Sequence, residues 1–113
     1  MDIGDIYTIE MPPSNGHEQA GNRPAIILQN SQLKDKLPTV IIVPLTSQLT
    51  AQTFPGTFVI YPDSENGLSM NSVALIFQIR SIDKKRLKRR IGRLNSFHLT
   101  RIYNNLKTLI NYP

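Results

Sequence analysis

From Leu37 to Leu45 the chain runs Leu-Pro-Thr-Val-Ile-Ile-Val-Pro-Leu, apolar on both faces of any strand it could form. A strand with one wet face alternates apolar and polar residues, so this run has to be central in a sheet or buried at an interface. Shorter strands have to surround it, and the sequence offers several between turn-forming residues. Asp5 to Glu10 alternates loosely, Ala25 to Gln29 is a short apolar run, and Thr57 to Tyr61 lies between Pro55-Gly56 and Pro62-Asp63. Ser72 to Arg80 is the longest strand pattern. Its period of two gives Val73, Leu75, Phe77 and Ile79 to the core, and sets Gln78 and Arg80 beside Ala74 and Ile76 on the other face. Ile91 to Leu94 reads as a last short strand, and Asn30 to Lys36 as a polar stretch with one helical turn. Helical spacing governs only the C-terminal segment, where Asn95 or Ser96 can cap and Leu99, Ile102, Tyr103, Leu106, Leu109 and Ile110 form a stripe. That stripe is either core or partner surface, and His98, off it, reads as a surface residue. The expected architecture is one domain over residues 1–113: mainly β, a small and strongly bent sheet or partial barrel, with a C-terminal α-helix packed on it.

Composition removes several chemistries. There is no cysteine, so disulfides, thiolate metal sites and cysteine nucleophiles are excluded. The two histidines, His17 and His98, are far apart in sequence, so neither a zinc site nor any other cofactor is expected. The N-terminus shows no secretory signal and no apolar run reaches membrane-spanning length, which reads as a cytoplasmic protein with no membrane partner. A net charge of +5 favours a polyanionic partner. Lys84 to Arg90 concentrates that charge, either as a solvated surface or as a patch that gathers nucleic acid in a salt-sensitive way.

Three stretches carry candidate chemistry. In Gly16 to Leu28 a polar, glycine-flanked loop runs into an apolar strand, with Arg23 at the junction. Pro24 fixes its own φ and biases Arg23 away from helix, so the guanidinium stands on a restrained backbone. It can grip a planar anion, or pair with Glu18 or a carbonyl and shape the loop. Thr46-Ser47-Gln48 follows the central strand and can cap a turn or hydrogen-bond a phosphate. Gln78 could read a base edge and Arg80 meet a phosphate, or both could simply end an exposed strand.

Together Gly4-Asp5-Ile6-Tyr7, Glu18-Gln19-Ala20-Gly21-Asn22-Arg23-Pro24, Val43-Pro44-Leu45-Thr46-Ser47, Gln78-Ile79-Arg80-Ser81-Ile82-Asp83-Lys84 and Ile91-Gly92-Arg93-Leu94 resemble the MazF/PemK/Kid family of toxin endoribonucleases, in order and over nearly the whole chain. The resemblance implies an SH3-like barrel with a C-terminal helix, a homodimer, and a cognate antitoxin with an acidic C-terminal tail. It implies metal-free cleavage of single-stranded RNA by 2′-hydroxyl attack, leaving 2′,3′-cyclic phosphate and 5′-hydroxyl ends. The family's catalytic pair maps onto Arg23 and Thr46. Its RNA contacts map onto His17, Glu18, Gln19 and Gln78, to which Ser47 and Arg80 are added as phosphate partners. Phe77 stands where some members carry an acidic residue before the Gln, which argues against a carboxylate-based variant. His17 can be a base or an RNA contact, and Glu18 a base or an organiser of the loop. The CcdB-type gyrase poisons share the fold but depend on a C-terminal tryptophan, and this chain has none. A non-catalytic nucleic-acid-binding barrel is the other alternative.

Overall fold

The computed structural model describes residues 1–11 and 21–112. Seven antiparallel strands are present there: β1 (Asp5–Met11), β2 (Gly21–Ile27), β3 (Thr39–Thr46), β4 (Thr57–Ile60), β5 (Ser72–Leu75), β6 (Arg80–Asp83) and β7 (Leu87–Arg93). The order across the sheet is β4-β5-β3-β2-β1-β7, with β6 also on β3. One α-helix, α1 (Ser96–Leu109), follows. The doubly apolar run is therefore the hub, since β3 pairs with β2, β5 and β6. Its two faces feed two cores. Val43 and Leu45 join Ile6, Ile26, Phe58, Ile60 and Ile102, while Val40 and Ile42 join Ile9, Met11, Ala25, Ile27 and Ile82. Alternation on a bent sheet produces this division, with one face turned into the barrel and the other covered separately.

The expected single strand from Ser72 to Arg80 is two strands. Ala74 lies opposite Leu45 and Arg80 opposite Ile42, so this segment takes six steps while β3 takes three. The surplus is a 3₁₀ turn over Ile76–Gln78, held where the Ile76 and Phe77 N–H groups donate to the Gly56 carbonyl at 3.0 and 3.3 Å. Val73 and Leu75 are buried and Ile79 packs on the core as the period implied, but the three-residue insertion exchanges two places: Ile76 is fully buried and Phe77 is 39% exposed. The charged run enters the sheet, because Leu87 to Arg90 is part of β7 and pairs with β1 through two register shifts.

α1 begins where the Asn95 side chain accepts the His98 N–H at 2.8 Å, which satisfies one of the helix's first free donors. Ile102 is buried and Leu99 and Leu106 pack on the same core, but Tyr103, Leu109 and Ile110 at the far end of the stripe are exposed. His98 is not a plain surface residue. Its ring stacks on Phe58 at 5.8 Å, with the Arg101 guanidinium 4.3 Å from the Phe58 ring centre. Burial, then the Arg101 charge, lowers the His98 pKa, with Asp63 opposing.

β4 and β7 end the sheet without pairing to each other, and the segment 62–71 closes the gap between them. Asn66 organises it from a position 1% exposed. Its amide donates to the Tyr61 carbonyl at 2.9 Å and accepts from the Asp63 and Leu68 N–H groups at 3.2 and 3.0 Å. Gly67, at φ +69°, and Gly92 then bring this loop against β7: a Cβ on Gly67 would strike the Ile91 backbone, and one on Gly92 the backbone of Glu65 and Asn66. The Arg93 N–H donates to the Glu65 carbonyl at 2.9 Å across the same contact. Because backbone cannot yield as a flexible side chain can, Gly92→Ala should destabilise by about 1–3 kcal/mol. The urea midpoint should fall with an unchanged slope, and an unaltered midpoint would show that the contact is not tight.

Candidate functional site

The β2–β3 ladder ends with Ala25 opposite Pro44; beyond it Arg23 stays paired with Ile9 of β1 and Thr46 with Val73 of β5, and both residues line one cavity. Arg23 is therefore not at the mouth of its strand, as the loop pattern implied, but inside β2, which begins at Gly21 and pairs with β1 as far as Met11. Backbone pairing to Ile9 fixes its position more firmly than a loop could. Arg23 and Thr46 are both half-buried. Thr46 performs the turn function open to it, since its Oγ1 accepts the Gln48 N–H at 3.2 Å. That bond uses a lone pair and leaves the hydroxyl proton to donate elsewhere.

Both residues line a cavity of about 410 Å³ at the open end of the bent sheet, with Ser47 beside them. Leu45, Leu68 and Ile91 supply apolar lining, and Asn22, Ser69 and Ser72 supply small polar groups. One wall is the Asn66-organised loop and another is the β1–β7 pair, through Thr8 and Arg89. Asp63 ties the loop wall down: its Oδ1 accepts the Glu65 and Asn66 N–H groups, each at 2.8 Å. Those two bonds, the Glu65 one first, lower its pKa below 3.8, with a smaller contribution from the His98 charge.

The positive charge is sorted by strand position. Lys88 pairs with Glu10 at 3.1 Å, and Arg90 reaches the buried Asp5 at 3.3 Å. Arg89, between them and opposite Thr8, faces the cavity. Among the described residues no carboxylate pairs with Arg23 or Arg89.

Of the residues singled out from sequence, Arg23, Thr46 and Ser47 come together here. Gln78 and Arg80 do not line this cavity. Gln78 lies in the 3₁₀ turn, and Arg80 pairs with Ile42 while its Nη2 sits 3.0 Å from the Met11 sulfur. His17, Glu18 and Gln19 lie outside the described residues. The sequence reading missed Thr8, Asn22, Arg89 and the Gly67–Met70 wall. A signal for Arg89 did exist in Leu87 to Ile91, a charged run bracketed by apolar residues, but two register shifts against β1 hide its alternation.

A family model described as PemK-like, MazF-like toxin of type II toxin-antitoxin system matches residues 2–110. An endoribonuclease MazF from Staphylococcus saprophyticus is 36% identical over 104 residues, spanning 92% of this chain and 86% of that protein. Among solved structures, MazF from Deinococcus radiodurans superposes with a TM-score of 0.79 at 25% identity, over 98% of this chain and 96% of its own. The MazE-MazF complex from the same organism gives 0.77 at 25% identity, over 100% and 97%. An endoribonuclease in complex with its cognate antitoxin from a mycobacterial species gives 0.78 at 20% identity, over 100% and 97%, a likeness of fold.

Asp63 predicts a pH response in the loop wall. Its folded pKa is depressed, so its contribution is complete above the unfolded carboxylate range and is lost as pH falls through the lowered folded value. Carboxyl NMR should show Asp63 titrating below 3.8, and Asp63→Asn should abolish that part of the acid loosening. A midpoint at or above 3.8 would contradict the hydrogen-bonded wall.

Proposed function

The chain belongs to the PemK-like, MazF-like toxins of type II toxin-antitoxin systems, and we propose that it works as an endoribonuclease on single-stranded RNA with Arg23 and Thr46 at the scissile phosphate. What supports this reading is that a guanidinium and a hydroxyl line one cavity, with no carboxylate paired to the cation among the described residues.

In this mechanism the ribose 2′-oxygen attacks the adjacent phosphorus as the bond to the 5′-oxygen breaks. The 2′-hydroxyl loses its proton, the departing 5′-oxygen gains one, and the products carry 2′,3′-cyclic phosphate and 5′-hydroxyl ends. Negative charge builds on the phosphoryl oxygens between these states. A fixed guanidinium stabilises that charge more than it stabilises the ground state, which is the condition for acceleration. Arg23 meets it through its strand position and stays protonated throughout. Thr46 donates its free proton to a phosphoryl oxygen while the Gln48 N–H holds its oxygen in place. Neither residue is a base near neutral pH, so the 2′-hydroxyl proton goes to another group, for which His17 and Glu18 remain the candidates. No metal ion enters these steps.

The protein acts in the cytoplasm as a homodimer. An antitoxin with an acidic C-terminal tail inhibits it by covering the cationic groove, an arrangement in keeping with the antitoxin complexes among its structural neighbours. The gyrase-poison alternative is not favoured, because this chain has no tryptophan and joins Arg23 to Thr46 on one cavity.

Arg23→Ala and Thr46→Val test the pair. Each should lower kcat by about 10²–10³, the usual consequence of removing one donor from a transition-state anion site. Far-UV circular dichroism and sedimentation should match the parent protein. A folded Arg23→Ala dimer that still cuts RNA at the parent rate would overturn the assignment.

A further inference from the structure

Of the three consecutive cations on β7, Lys88, Arg89 and Arg90, one is used neither by an ion pair nor by the Arg23–Thr46 pair. Lys88 and Arg90 are each committed to a carboxylate, Glu10 and Asp5. Arg89 is exposed on the cavity. Its backbone is not free to drift, since it pairs with Thr8 on β1, next to the Ile9 that pairs with Arg23. β1 separates β2 from β7, so the two arginine backbones stand two strand spacings apart, about 10 Å. Residues opposite Thr8 and Ile9 belong to alternate faces of the ladder. A nucleic-acid strand that crosses the open end of the sheet thus meets Arg23 and Thr46 on one side of the rim and Arg89 on the other. The lining between them is mixed, with Leu68 and Ile91 as apolar surface and Asn22 and Ser69 as hydrogen-bonding groups. Such a lining suits a base rather than a second charge.

We propose that Arg89 is an RNA-binding residue that holds a phosphodiester adjacent to the scissile one, so that the cavity grips one nucleotide between two cations. This rests on the endoribonuclease reading above and adds a substrate contact to it. Arg89 holds a phosphate that does not react, so it contributes equally to bound substrate and transition state and acts on KM rather than kcat. The neighbouring Lys88, one residue away on the same strand but turned to Glu10, makes no such contact.

The test compares Arg89→Gln with Lys88→Gln, which removes the same charge from the same strand. A mapped RNA target is used for cleavage, and a copy with a 2′-deoxy ribose at the cut for binding. Arg89→Gln should raise KM and weaken binding about tenfold, as loss of one charge-assisted contact does, with kcat unchanged. The salt dependence of log K should become shallower by about one phosphate's worth, and Arg89→Lys should restore part of the affinity. Lys88→Gln should alter none of these. Replacing one phosphodiester at a time by an uncharged methylphosphonate then identifies the partner. At one position flanking the cut, the neutral linkage should weaken the parent protein as much as Arg89→Gln does, and the two changes together should cost no more than either alone. Equal effects of Arg89→Gln and Lys88→Gln, or additivity at every linkage, would overturn the proposal. Binding of the deoxy copy without any cut in the ribose target would instead overturn the endoribonuclease reading, while the binding comparison still decides the role of Arg89.

Discussion

A bent sheet of this size exposes two edges unless something other than a strand pair joins them, and here the join is backbone against backbone at Gly67 and Gly92. No side chain fits in that contact. The approach in turn requires the chain between β4 and β5 to hold one shape, which Asn66 achieves by bonding three backbone groups from a buried position. A buried amide left unpaired would be costly, whereas one fully satisfied specifies its loop. The site inherits this rigidity, because Leu68 to Met70 form one cavity wall and Ile91, next to the contact, lies at another. Fold closure and site shape are the same set of contacts.

Charge placement follows from the same frame. β7 lies at the end of the sheet, beside β1, and carries consecutive cations at Lys88, Arg89 and Arg90. Such an edge would otherwise invite pairing with another chain, and charged side chains discourage it. Two of those cations meet carboxylates on β1, one of them the buried Asp5, so β1 and β7 are held by ion pairs as well as by their ladder. The exposed Lys88–Glu10 pair contributes little to stability. Its consequence is orientation: it turns Lys88 away from the cavity and leaves Arg89 as the cation that borders it. Arg23 stands directly opposite Ile9, and the nearby Glu10 is taken by Lys88, so among the described residues no carboxylate pairs with it.

Much of this was legible in sequence. The doubly apolar run from Leu37 to Leu45 had to be central in a sheet or at an interface, and its strand pairs with three others. Helical spacing gave the C-terminal helix with Asn95 or Ser96 as cap and a six-residue stripe; Asn95 is the cap, and Ile102 is the stripe residue that is fully buried. Arg23 and Thr46 stood out as a guanidinium on a restrained backbone and a hydroxyl at a strand end, and their motifs carried the family resemblance. Other features depended on register, which no local pattern encodes. The Ser72–Arg80 run alternates as one strand, yet β3 can pair with its two halves only if three residues are set aside, so Phe77 faces outward and Arg80 moves next to Met11. Nothing local marks the Asn66-Gly67 pair as the closure of the sheet, because its partner, Gly92, lies distant in sequence. Arg89 looked like one charge among several for the same reason, since only the neighbours on β1 distinguish it from Lys88 and Arg90.

The central claim is that a fixed guanidinium and a hydroxyl supply the transition-state charge for attack by the RNA's own 2′-oxygen. The most direct measurement is cleavage of a long single-stranded RNA in excess EDTA, with chemical mapping of fragment ends, beside an RNA carrying one 2′-deoxy ribose at the mapped cut. The account predicts discrete cuts ending in 2′,3′-cyclic phosphate and 5′-hydroxyl, with the deoxy position left intact. Cleavage at the deoxy position, or activity that disappears with the chelator and returns with a divalent ion, would contradict it.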